Sequence, residues 1–170
     1  MDMELSDFEY FFFDIERTLI RWKDTIIGAE DLVHTLQDQD KKIFYHTDNA
    51  LLSREKMAQK LSGLGLPATE EQVLTGGYVS GGFLKRKNFR KVYAIGEQGL
   101  HDELSEHGIE VRKDADAVIA GLDRQFTYSK LRKAAKIVPD GELFICSSEK
   151  DFQLDKKTVP NQAALNNALA

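Results

Sequence analysis

An α/β fold with a largely parallel sheet is predicted by three observations. Short runs rich in aromatic and β-branched residues recur along the chain, segments with helical spacing lie between them, and helix start and stop signals fall at the joins. Taken in order, the runs are YFFF (10–13), KIFY (42–45), KVYAI (91–95), AVIA (117–120) and LFIC (143–146), each read as a buried strand. Between the first two, Leu32, Val33 and Leu36 share a helical face; after the second, Met57, Leu61 and Leu64 do the same. Leu131, Ala134, Ala135 and Val138 repeat the pattern before the last run. Ser53 and Thr127 stand where N-caps are expected, and Gly65 and Gly108 where a chain leaving a helix takes positive φ. Residues 76–91, GGYVSGGFLKRKNFRK, hold four glycines and a basic cluster, and read as a flexible, solvated connection. The glycine pattern lacks the Lys-Ser/Thr pair of a phosphate-binding P-loop. A domain boundary is expected near Lys87.

A chain of 170 residues, 42% hydrophobic, buries roughly two-thirds of its unfolded surface, enough for one domain or two small ones. The formal charge of −5 favours solubility and gives no global reason to bind nucleic acid. The lone Cys146 cannot form an internal disulfide and reads as a small buried strand residue, and no Cys/His cluster has zinc-site spacing. The acidic start MDMELSDFEY and the short apolar stretch after it lack the pattern of a signal peptide or a membrane span, which makes the cytoplasm the expected location.

Ligands of open α/β sheets collect at the carboxyl ends of the strands. Asp14 directly follows YFFF, while Thr47, Asp48 and Asn49 follow KIFYH, so the two sets are expected at one rim. A carboxylate there can attack phosphorus, and a hydroxyl and an amide on the next strand can hold phosphoryl oxygens. Glu16, two residues on, can protonate a leaving group and then activate water, and Mg²⁺ would offset the repulsion between the anions. By spacing alone an aspartate ending a strand is more often a cap or a surface residue, and both readings stand. His46 reads as an inward-facing or hydrogen-bonded strand-end residue rather than a base. Phe126 and Tyr128 read as packing residues.

FFFDIERTLI (11–20) resembles the D-x-D-G-T-L signature of the haloacid dehalogenase (HAD) superfamily, and FYHTDNALLSREKMAQKLSGLGL (44–66) is similar to the F-x-T-N-N-S-x-x-S-R motif of its NagD and p-nitrophenyl phosphatase branch. The likeness continues through EEQVLTGGYVSGGFLKRK, KVYAIGEQGLHDELSEHGIEV, AVIAGLDRQFTYSKLRKA and TVPNQAALNNAL, over nearly the whole chain. It implies a Rossmann-like core, residues 1–87, followed by an α/β cap of the C2 type, residues 88–170. It implies that Asp14 is the nucleophile that becomes an aspartyl phosphate, and that Glu16 is the general acid/base and, through its backbone carbonyl, a Mg²⁺ ligand. Thr47 would be the phosphate-binding hydroxyl, with Asp48 and Asn49 at the two asparagines beside it. Asp123 and Arg124 fall where the cap reaches the entrance of the site; the alternative is that they begin the loop before the Thr127 cap. The implied substrate is a small phosphorylated metabolite.

The sequence departs from that pattern at several points. Glu16 stands at an aspartate position, Arg17 at a glycine and Asp48 at a neutral amide, while CSSEKD (146–151) and VPNQAAL (159–165) differ from the family's loops. The chain ends before the G-K-P and G-D-x-x-x-T-D segments, so the expected core is incomplete, its metal site partial and its turnover weak. A second copy or a partner chain is then expected to cover the unfinished core. The competing expectation is a non-catalytic relative that keeps the fold for ligand binding or protein association.

Overall fold

The computed structural model describes residues 4–146, together with the backbone of 152–154 and 157–159. The described residues fall into two compact units, one holding residues 4–47 and 54–74, the other 48–53 and those from 75 onward. Lys87, expected near a boundary, lies inside the second unit.

In the first unit, β1 (Tyr10–Asp14) is followed by a hairpin of β2 (Ile20–Arg21) and β3 (Asp24–Thr25), then α1 (Ala29–Asp38), β4 (Lys42–Thr47), α2 (Arg54–Gly63) and β5 (Val73–Thr75). The sheet order is β1-β4-β5, with β1 and β4 parallel and Asp14 opposite His46. Alternation decides what each strand offers. Ile43, Tyr45 and Thr47 of β4 point into the core with Val33, Leu36, Met57 and Leu61, while Tyr10, Phe12 and Asp14 of β1 are exposed. The buried Tyr45 hydroxyl donates to the Pro67 carbonyl at 2.9 Å, and burial pushes its pKa up to about 12. Gly65 takes φ +77° where the chain leaves α2, as expected of a glycine there.

In the second unit, α3 (Gly76–Arg86) leads into β6 (Lys91–Ile95), α4 (Gln98–Glu106), β7 (Glu110–Val111), β8 (Ala117–Ala120), α5 (Tyr128–Ile137) and β9 (Glu142–Ile145). A short antiparallel pair follows, β10 (Phe152–Leu154) and β11 (Lys157–Val159). Strands β7-β6-β8-β9 form an all-parallel sheet, the arrangement expected of alternating strands and helices. All four residues of β8 are buried, as befits a strand covered on both faces. Thr127 caps α5 by accepting the Lys130 amide at 3.3 Å, and Gly108 leaves α4 at φ +73°. Cys146 is buried just beyond β9, which pushes its thiol up to about 11.

Residues 76–86 correct the expectation of a flexible connection, because they form α3. The Thr75 hydroxyl caps it by accepting the Tyr78 amide at 3.2 Å. Gly77, Gly81 and Leu84 make its buried stripe. A methyl group on Gly77 would stand 3.3 Å from Cγ of Glu103, and one on Gly81 only 2.4 Å from the His107 ring, so these glycines let α4 and the residue after it close on α3. The His107 ring packs on Tyr78 at 4.8 Å and meets the Tyr78 carbonyl through Nε2 at 2.9 Å. The pattern is one of close approach rather than of chain freedom.

Among the described residues no helix is long and apolar enough to cross a membrane. The expectations for the loop after Cys146 and for VPNQAAL beyond Val159 concern positions outside the described residues.

Candidate active site

The end of β1 is held by the core on one side and by β4 on the other. Ile15, fully buried, donates its amide to the His46 carbonyl at 3.0 Å and accepts the amides of Leu19 and Ile20, both also buried. The chain between them is therefore a short closed turn, in which the Arg17 amide bonds to the Ile20 carbonyl at 2.8 Å. Arg17 takes φ +67°, the left-handed conformation that glycine adopts without strain. The turn that the signature assigns to glycine is kept here with an arginine in it.

This turn brings Glu16 to β4. The Thr47 hydroxyl, 5% exposed as a residue, donates to a Glu16 carboxyl oxygen at 2.6 Å, a short hydrogen bond. Asp14 has different neighbours. Its half-exposed carboxylate lies 3.9 Å from Nδ1 of His46 and accepts the Thr18 hydroxyl at the long distance of 3.5 Å. His46 is exposed beside Asp14, which corrects the inward-facing expectation; it follows from the parallel register, since residues opposite one another share a face. Sequence reasoning missed this neighbour of Asp14, although the register that places it follows from aligning YFFFD with KIFYH.

Asp48 and Asn49 belong to the second unit. The Asn49 side chain accepts the Leu51 amide at 2.7 Å, the local turn of an asparagine that shapes its own loop. The Asp48 carbonyl lies 2.5 Å from the point where a methyl group on Gly76 would stand, so the chain passes close over the start of α3. Farther along, Asp123 is buried, accepts the Gln125 amide at 2.8 Å and pairs with Lys130, while Arg124 forms a two-pronged pair with Glu97. The guanidinium of Arg124 holds the Glu97 carboxyl below its ordinary pKa, and Glu97 in turn raises that of Arg124. Both residues thus shape the loop before the Thr127 cap. Phe126 packs beside Ile95, Val118 and Ala134, whereas Tyr128, expected to pack, is 77% exposed on the first turn of α5.

Among the described residues no three His, Cys, Asp or Glu side chains converge as a metal site. The Asp14 carboxylate and the Glu16 main-chain carbonyl are hard oxygen donors and suit Mg²⁺ in kind.

Residues 11–110 match the model of a family described as haloacid dehalogenase-like hydrolase. The chain belongs to this family. The 5'-nucleotidase YutF of Bacillus subtilis is 28% identical over 169 residues, 97% of this chain and 66% of YutF. The double mutant thermostable NPPase from Geobacillus stearothermophilus superposes with a TM-score of 0.87 at 27% identity, over 95% of this chain and 65% of that one. NagD from E. coli K-12 shares the fold, with a TM-score of 0.84 at 23% identity over 95% of this chain and 64% of NagD. The chain spans just under two thirds of the length of these relatives. The resemblance to the p-nitrophenyl phosphatase branch is thereby met in sequence and in fold, that to NagD in fold, and the α/β class with them.

Proposed function

We propose that this HAD-like chain is a phosphatase-type protein that hydrolyses a small phosphomonoester through Asp14. The observation that carries the reading is the junction of β1 and β4: a half-exposed aspartate ends one strand, and two residues on a carboxylate bonds to the threonine that ends the next. One Oδ of Asp14 attacks phosphorus, the ester P–O bond breaks, and the leaving oxygen takes a proton from Glu16, which enters this step as the carboxylic acid. Glu16 then accepts a proton from water as the water oxygen attacks the aspartyl phosphate, the bond from Asp14 to phosphorus breaks, and inorganic phosphate departs. Asp14 and the Glu16 carbonyl would hold Mg²⁺, which supplies charge neutralisation when bound. Thr47, Asp48 and Asn49 are the phosphate-binding group, and Asp123 and Arg124 the substrate-selecting pair of a cap that begins near Lys87.

Turnover is weak on this reading, because the glutamate carboxyl is one methylene farther out than the signature's aspartate and already holds the Thr47 hydroxyl. That same contact favours the second reading, a non-catalytic relative that keeps the fold for ligand binding or protein association. Hydrolysis of p-nitrophenyl phosphate with Mg²⁺, compared between the wild type and Asp14→Asn, separates the two. Activity abolished by the substitution supports the phosphatase; activity that survives it removes Asp14 from the mechanism; no activity in either protein favours the second reading. The cytoplasm is the proposed location, and a second copy or a partner chain the proposed cover of the exposed β1 edge.

A further inference from the structure

The turn after β1 carries four consecutive or near-consecutive polar side chains, and the structure treats one of them differently. Asp14 meets His46 and Thr18, Thr18 reaches back to Asp14, and Glu16 is bonded to Thr47. Arg17 is exposed, and among the described residues its guanidinium makes no ion pair or hydrogen bond. Its backbone nevertheless sits at φ +67°, pinned by its own amide on Ile20 and by the buried Ile15, Leu19 and Ile20 around it. Strain of this kind in a rigid turn next to reactive groups points to use rather than accident. The charge pattern says what the use is. A phosphate approaching this turn meets the Asp14 carboxylate, and the Arg17 guanidinium, unpaired among the described residues, is a cation in the same turn, one residue from Glu16.

We infer that Arg17 is a phosphate-binding residue of this chain: its guanidinium engages the non-bridging oxygens of a phosphomonoester dianion and offsets the charge of Asp14. The inference rests on the phosphatase reading of the site. Arginine suits the role because its planar fork can meet two phosphoryl oxygens at once and stays charged at any working pH.

Binding of inorganic phosphate, measured by titration calorimetry on the full chain, tests the inference without requiring turnover. Arg17→Gly and Arg17→Asn both remove the cation, and both residues tolerate the left-handed turn, so either variant serves if the other fails to fold. The expected result is phosphate binding to the wild type, weakened roughly tenfold or more in Arg17→Gly and Arg17→Asn, with thermal midpoints not lowered. Thr47→Ala reports on the reading beneath the inference. If the wild type binds phosphate, Thr47→Ala weakens it and the Arg17 variants do not, the role of Arg17 is overturned and the phosphatase site stands. If the wild type binds no phosphate at millimolar concentration, both fall.

Discussion

The Glu16 carboxylate accepts the Thr47 hydroxyl at 2.6 Å, and that contact sets what either group can do next. A hydroxyl given to a neighbouring carboxylate is not offered to a phosphoryl oxygen until the pair separates. Shortening the side chain by one methylene draws the carboxyl back from Thr47 while leaving an acid in place, so Glu16→Asp is expected to raise turnover of p-nitrophenyl phosphate by roughly tenfold, read as kcat at saturating Mg²⁺. Arg17 lends itself to a separate measurement. At φ +67° a side chain bearing Cβ carries about 1 kcal/mol of backbone strain that glycine does not, so Arg17→Gly is expected to move the urea midpoint upward even as it removes a charge. A lower midpoint would show that the guanidinium contributes to folding rather than to a ligand.

Elements were legible in the sequence wherever a side-chain pattern had one physical cause. The runs YFFF, KIFY, KVYAI and AVIA all became strands because β-branched and aromatic residues there had a face to bury, and the Thr127 cap was readable because its hydroxyl had an amide within local reach. The helix α3 was hidden because glycine has two uses. Gly77 and Gly81 look like freedom in the sequence and act as clearance in the structure, a difference fixed only by which helix packs across them. The hairpin β2–β3 escaped because two-residue strands carry no period. At the site, the neighbours of Asp14 and Glu16 were set by register and by the turn at Arg17, which depend on contacts distant in sequence. Gly81→Ala puts a methyl 2.4 Å from a ring already fixed by Tyr78, and is expected to cost about 2 kcal/mol in denaturant unfolding, whereas the same change at Gly63, with open space around it, should cost little from crowding. The Glu97–Arg124 pair makes a pH prediction. The folded carboxyl titrates below its ordinary value, so its contribution, about 0.5 kcal/mol for so exposed a partner, is present above about pH 4.5 and is lost as pH falls through the folded pKa. In Glu97→Gln the acid limb of the stability curve should be shallower by that amount.

At the scale of the whole molecule, the exposed strand β1 is the feature that most needs a counterpart. Among the described residues it is the terminal strand of its sheet, Tyr10 and Phe12 stand 51% and 62% exposed, and Phe12 stacks on Phe44 of β4 at 5.0 Å, which extends the apolar surface across two strands. Edge strands that stand alone are usually broken by proline, a bulge or inward charge, and YFFF has none of these. Lys42 and Glu9 sit at one end of this face and pair with each other, so they add little repulsion to keep another chain away. Light scattering at micromolar concentration is therefore expected to report a species heavier than the 19.3 kDa chain. Phe12→Lys, which puts a charge in the middle of the apolar strip without touching the buried side of the strand, should shift that species toward the monomer and leave the far-ultraviolet circular dichroism unchanged. A wild-type protein that is monomeric under these conditions would show that the strip is stable in water as it stands, and would remove the edge as a reason for the chain to associate.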